Sequence, residues 1–198
     1  QKPWMNAEFF DPTDTSTNAP RHVTADKPGP DPRGYHSVAM LLPDARILVA
    51  GGDPFPIERP IPPGDRYMTY EFLSPPYLDG NPARPIIDAA QVPRDWTYGG
   101  NPITIPYSWQ GAPATCTRAV LIRCGAVTHG FDQSQRRYEL TVNQSTQSQI
   151  TVAGLPSIAN GGDKLVPPGW YMLFILYPRA VTGSTHTPCA MAAYVKLG

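Results

Sequence analysis

No stretch of this chain stays apolar for more than eight residues, and that longest run is Trp170 to Tyr177. Prolines and glycines, 25 and 17 of them among 198 residues, interrupt the rest. A proline inside a helix removes a hydrogen bond and clashes with the preceding turn. A membrane-spanning helix needs about 20 apolar residues, so no segment here reads as a membrane span. Helical periodicity is absent throughout, and short apolar runs separated by breakers read as many short strands joined by turns. With 41% hydrophobic residues the composition is that of a folded chain, not a disordered one. The expectation is an all-β fold of one large or two small domains.

The clearest local signal is a hairpin. Val38 to Leu42 reads as a strand, Pro43-Asp44-Ala45-Arg46 as a turn, and Ile47 to Ala50 as the returning strand, ended by Gly51-Gly52. Ala45 stands where a turn of this kind prefers glycine. Either it adopts a positive φ at a cost of about 1 kcal/mol, or the turn takes a plain type I form. An echo frames the hairpin: Glu8-Phe9-Phe10-Asp11-Pro12 recurs as Glu71-Phe72-Leu73-Ser74-Pro75, 63 residues later. Hairpin, Gly-Gly and a following acidic–apolar–apolar strand make the pattern of a kelch-type propeller blade, and the echo suggests a second copy.

Residues 54 to 66 form a proline-rich loop, and Pro75-Pro76 and Pro82 to Pro85 mark a further break. Beyond it, strands are expected at Ile103–Tyr107, Ala114–Arg123, Arg137–Val142, Gln149–Ala153, Trp170–Tyr177 and Ala190–Leu197. Such spacing without helical pattern indicates an immunoglobulin-like β-sandwich. The chain therefore divides near residue 84, into a terminal propeller-blade segment over 1–83 and a sandwich over 84–198. One blade cannot bury both faces of its sheet, because repeat units need about three neighbours. The remaining blades are expected from an upstream segment or a second chain, and the start at Gln1 reads as a processed or truncated end.

Sixteen basic and sixteen acidic residues cancel, so charge provides no drive toward nucleic acid or an anionic membrane. Three cysteines, Cys116, Cys124 and Cys189, leave at least one unpaired. Eight extended residues would hold Cys116 and Cys124 roughly 26 Å apart, so any internal bridge would use Cys189 and one of the others. Three small buried hydrophobes is the other reading. Tyr35 and His36 precede the blade's first strand in Arg33-Gly34-Tyr35-His36-Ser37, and His129 lies in Thr128-His129-Gly130-Phe131. Neighbouring strand residues point to opposite faces, so Tyr35 and His36 could share a metal only at an irregular strand entrance. Taken singly, each also fits an ordinary role, a tyrosine packed in a sheet and histidines facing water. His22 and His186 lie in polar stretches with no role assigned.

Four motifs in order carry a resemblance to a known family. They are Arg33 to Ser37 with Leu41 to Gly52; Phe72 to Leu78; Val127 to Phe131 with Gln135-Arg136-Arg137; and Pro167 to Phe174. Together they resemble the C-terminal part of the copper radical oxidases of the galactose oxidase and glyoxal oxidase type. The resemblance implies the last blade of a kelch propeller followed by an Early-set, immunoglobulin-like domain. It implies copper as cofactor, with Tyr35, His36 and His129 as ligands and Tyr35 as the axial phenolate that takes the substrate's hydroxyl proton. Nitrogen and oxygen donors of this kind suit Cu(II).

The family's second cofactor, a cross-linked Cys–Tyr radical, matches none of the three cysteines and is expected in the missing upstream part. Copper alone is a one-electron couple, so the chain is expected to need its upstream blades to oxidise a primary alcohol, aldehyde or sugar with O2 to hydrogen peroxide. The resemblance also implies a secreted, extracellular protein. The alternative function is a non-catalytic extracellular structural or carbohydrate-binding module on the same scaffold.

Overall fold

The computed structural model describes residues 6–10, 22–24, 31, 33–52, 68–129, 131–181 and 184–198. The proline-rich loop at 54–66, Gly130, and Asp11-Pro12 of the first echo lie outside these. The fold is all-β, a partial propeller followed by an immunoglobulin-like sandwich. The first echo forms β1 (Glu8–Phe10), which pairs antiparallel with β2 (His22–Thr24). Blade strands β3 (Val38–Leu41), β4 (Ile47–Ala50) and β5 (Tyr70–Leu73) form a separate antiparallel meander. The register sets Leu48 opposite both Met40 and Phe72. Ala45 takes the strained option, with φ 68° while 2% exposed.

Surrounding contacts explain why that strain persists. Tyr77 Oη donates to Ala45 O at 2.7 Å, Arg84 Nη2 to Asp44 O at 2.9 Å, and Ala192 N to Pro43 O at 2.8 Å. Three consecutive carbonyls of the turn are thus fixed by residues beyond the blade's three strands. Arg84 also donates to the carbonyls of Pro188, at 2.9 Å, and Cys189.

The sandwich follows a 3-10 turn at Pro76–Leu78. Its strands are β6 (Pro85–Ile87), β7 (Asp95–Trp96), β8 (Ile103–Trp109), β9 (Arg118–Arg123), β10 (Val127–Thr128), β11 (Phe131–Asp132), β12 (Arg137–Leu140), β13 (Val142–Ser145) and β14 (Gln149–Val152). A short helix α1 (Gly162–Leu165) precedes β15 (Gly169–Val181), β16 (Ser184–Pro188) and β17 (Ala193–Leu197). One sheet runs β12-β9-β15-β17-β7, with β16 continuing the edge of β15, and the other runs β13-β14-β8-β6. The core lies between them. Leu121 pairs with Leu173 and Ala119 with Ile175 on one sheet, Ile150 with Ile105 on the other, and all six are fully buried.

The first sheet is apolar on its outer face too. Phe174 opposite Val120 and Met172 opposite Ile122 point away from the core, yet Phe174, Val120 and Met172 are at most 4% exposed. Leu41, Ala45 and Tyr77 lie over this face, bordering with Val120, Phe174 and Leu176 a cleft of about 250 Å³. A strand buried on both faces reads as a continuous apolar run, which is why Trp170–Tyr177 has no alternation.

The expected strands appear with corrections to their bounds: Trp170–Tyr177 runs on to Val181, and Ala190–Leu197 begins only at Ala193. Ala114–Arg123 begins only at Arg118, because Cys116 N bonds to the Tyr107 hydroxyl and Thr117 N to Leu176 O. Arg137–Val142 is two strands, and the chain crosses between sheets after Leu140. His22 and His186, expected in loops, lie in β2 and β16. Cys116, Cys124 and Cys189 are free thiols, the first and last fully buried. Burial pushes the Cys116 thiol up to about 12 and the Cys189 thiol to about 11.

Candidate metal centre

Tyr35 and His36 are the two central residues of a turn closed by Ser37 N to Gly34 O at 3.2 Å. His36 has φ 63°, the third-position conformation of a type II turn. That irregular entrance lets adjacent side chains meet, and their ring centroids are 3.8 Å apart. The turn is held from behind. Arg33 donates to Gly51 O at 2.9 Å, to Thr69 O at 3.1 Å and to Glu71 Oε1 through both Nε and Nη2. Thr69 Oγ1 in turn bonds to Asp31 at 2.6 Å. Gly51 sits so close that a Cβ there would lie 3.2 Å from His36 O.

His129 arrives from the sandwich. It occupies the first tip position of the β10–β11 hairpin, whose pairs are Val127 with Asp132 and Thr128 with Phe131. Two-residue hairpin loops demand a positive φ at that position. His129 meets it with φ 53°, in a region where His is enriched among non-glycine residues. Across 93 residues of sequence, His36 Nε2 and His129 Nε2 stand 3.2 Å apart. The Tyr35 ring lies 5.6 Å from that of His129. All three side chains are exposed on this side of the chain.

The donor set fits a metal of the copper type. Two nitrogens sharing one ion at about 2.0–2.1 Å stand roughly 2.9–3.4 Å apart for angles between square and tetrahedral, which brackets the observed spacing. Thr128 Oγ1 lies 2.7 Å from His129 Nδ1. If it accepts the Nδ1 proton, the lone pair is left on Nε2, the usual device by which an outer partner fixes a ligand's tautomer. Two imidazoles and a phenol match the preference of Cu(II) for nitrogen and oxygen. Among the described residues no cluster of three or more His, Cys, Asp or Glu occurs.

Sequence reasoning identified the three ring-bearing residues but gave no role to Arg33, Thr69, Glu71, Gly125 or Asp132. Arg33 and Glu71 form an ion pair at 3.1 Å, side chains 13% and 19% exposed. Their only signal was proximity to the two motifs. Asp132 closes the base of the His129 hairpin: its Oδ1 accepts from Ala126 N at 3.1 Å, Gln135 N at 3.1 Å and Ser134 N at 3.4 Å.

A propeller-type sheet and an immunoglobulin-like sandwich thus bring His36, His129 and Tyr35 side by side. The family model described as galactose oxidase-like, Early set domain matches residues 84–187, more than half of the chain, and the chain belongs to that family. It is 32% identical over 149 residues to the aldehyde oxidase GLOX of Vitis pseudoreticulata, covering 74% of this chain and 28% of that protein. It is 32% identical to a galactose oxidase of Gibberella zeae, covering 78% of this chain and 21% of that one. Among solved structures it is similar to a fungal alcohol oxidase of the AA5 family in complex with copper. That likeness has a TM-score of 0.70 at 28% identity, over 98% of this chain and 36% of the other. The chain thus spans about a fifth to a third of the proteins it matches.

Proposed function

We propose that this chain is the C-terminal portion of a secreted copper radical oxidase, with Tyr35, His36 and His129 as the ligands it contributes. The supporting observation is the 3.2 Å approach of two histidine Nε2 atoms, carried by different domains, beside a tyrosine ring. Copper, when bound, would supply a one-electron couple and lower the pKa of a coordinated alcohol. The chain's own residues do the rest. His36 and His129 would offer Nε2 atoms that stand 3.2 Å apart, and Thr128 Oγ1, 2.7 Å from His129 Nδ1, would orient the second ring. Tyr35 presents a phenol oxygen that takes the substrate's hydroxyl proton.

The net reaction removes two electrons and two protons from a primary alcohol or hydrated aldehyde and passes them to O2, giving hydrogen peroxide. One electron taken up by copper would leave the balance short by one. A cross-linked Cys–Tyr pair in upstream kelch blades would accept the second. We place the division between blade segment and Early-set domain at residue 84. Among the described residues no helix is long and apolar enough to cross a membrane.

Metal analysis and spin resonance on the complete protein test this reading. About one copper per chain, and a protein radical after oxidation, are expected. Absence of both would leave the non-catalytic scaffold as the answer. His36→Ala and His129→Ala should each lower copper occupancy, whereas Tyr35→Phe should keep copper and lose most turnover.

A further inference from the structure

The hairpin that delivers His129 is a weak structural unit. It has two residues per strand and joins neither sandwich sheet. Isolated two-stranded hairpins are marginally stable in water. Apart from the contact of β10 with β3, its aim is set at its base. There Asp132 reaches across the mouth, one oxygen gathering Ala126 N from the leg before β10 and Gln135 N, with Ser134 N, from the leg after β11. Gln133 N to Ala126 O, at 3.3 Å, closes the same mouth from the backbone.

The seat of that carboxylate is specific. A Cβ on Gly125 would meet Oδ1 at 2.6 Å and Oδ2 closer still, so a side chain there would displace the carboxylate from its seat. Oδ2 is buried and makes no hydrogen bond among the described residues.

We propose that Asp132, seated on Gly125, is the positioning residue for His129: it locks the hairpin so that Nε2 reaches His36. The proposal rests on His129 being a metal ligand, and it extends that reading to residues outside the cluster. Asp132 touches neither metal nor substrate; it acts through the backbone that bears His129.

The test uses the complete protein, with Cu(II) as probe. Asp132→Ala should weaken Cu(II) binding by roughly 10–100-fold, the usual cost of losing an outer partner of a ligand. The copper hyperfine pattern should shift, while far-UV dichroism stays unchanged. Amide exchange at Ala126 and Gln135 should speed up in the metal-free protein. Asp132→Asn keeps the accepting Oδ1 and should restore most of the affinity; Gly125→Ala should reproduce the loss with Asp132 intact. Wild-type affinity, spectrum and amide protection in Asp132→Ala would overturn the proposal. If His129→Ala binds Cu(II) as well as wild type, the ligand reading fails, and amide exchange in the Asp132 variants alone decides whether the clamp exists. Should Asp132→Ala not fold, the Asn and Gly125→Ala variants carry the same comparison.

Discussion

Ala45 shows how a single residue can be held in an unfavourable conformation by its neighbours. Its φ of 68° costs an alanine about 1 kcal/mol relative to glycine. Yet the turn is held at three carbonyls, including the bond from the Tyr77 hydroxyl, whose pKa burial pushes up to about 12. Ala45→Gly keeps those bonds and removes the strain. The loss of one buried methyl and the freer unfolded chain oppose this gain. We expect the variant to be as stable as wild type or up to about 1 kcal/mol more so, measured by urea unfolding. A loss above about 1 kcal/mol would mean that methyl packing, and not backbone strain, governs the site.

Between elements, the pairing of β9 with β12 carries the clearest pH signature. Glu139 is held at about 2, well below its ordinary 4.5, first by the hydrogen bonds from Arg118 and then, against partial desolvation, by Arg137. A depressed carboxylate stabilises the fold above its unfolded pKa, and the contribution is lost as pH falls through the folded value. The window here is about 4.5 down to about 2. The side chains are 34% to 50% exposed, so the pair is worth at most about 1 kcal/mol, roughly 2–4 °C in Tm for a chain of this size. Glu139→Gln should therefore melt lower than wild type at neutral pH, with the gap closing on acidification. A gap that persists unchanged to pH ~2 would remove the ion pair as its cause.

The same strands show what sequence could and could not reveal. Tyr138, Leu140 and Val142 keep one apolar alternation straight across the change of sheet, so periodicity predicted a single strand. Ser184–Pro188 carries no large apolar side chain, and only its partner β15 makes it a strand. The blade hairpin was legible because its turn chemistry is local. The convergence of His129 on Tyr35 and His36 was legible only through family motifs. The clamp at Asp132 was not legible, since nothing in a run of Phe-Asp-Gln-Ser-Gln says which backbone groups a carboxylate will meet.

The whole molecule is unequal in how it is buried. The sandwich strand β15 is covered on both faces, on the outer one by Leu41, Ala45 and Tyr77. The blade is not: Met68 is 92% exposed, Tyr70 67% and Phe72 46%, and the rings of Tyr70 and Phe72 pack on one another at the edge strand. Exposed aromatics on an edge strand mark a surface made for a neighbour, and the relatives, of which this chain spans about a fifth to a third, have additional chain to supply one. Local stability follows burial, so regions with few buried contacts open and exchange their amides long before the core does. In the 198-residue chain alone, peptides from Val38–Ala50 and Tyr70–Leu73 should exchange by local opening, orders of magnitude faster than Tyr171–Leu176. In the longer protein both regions should slow, the blade by the larger factor. The proposed metal ligands straddle this divide, because Tyr35 and His36 enter the blade while His129 stands on the sandwich. Copper binding by the isolated chain should therefore be weaker than by the complete protein even with all three side chains present. Equal protection of blade and sandwich in the isolated chain, together with undiminished copper affinity, would show that three strands suffice to hold the site without further blades.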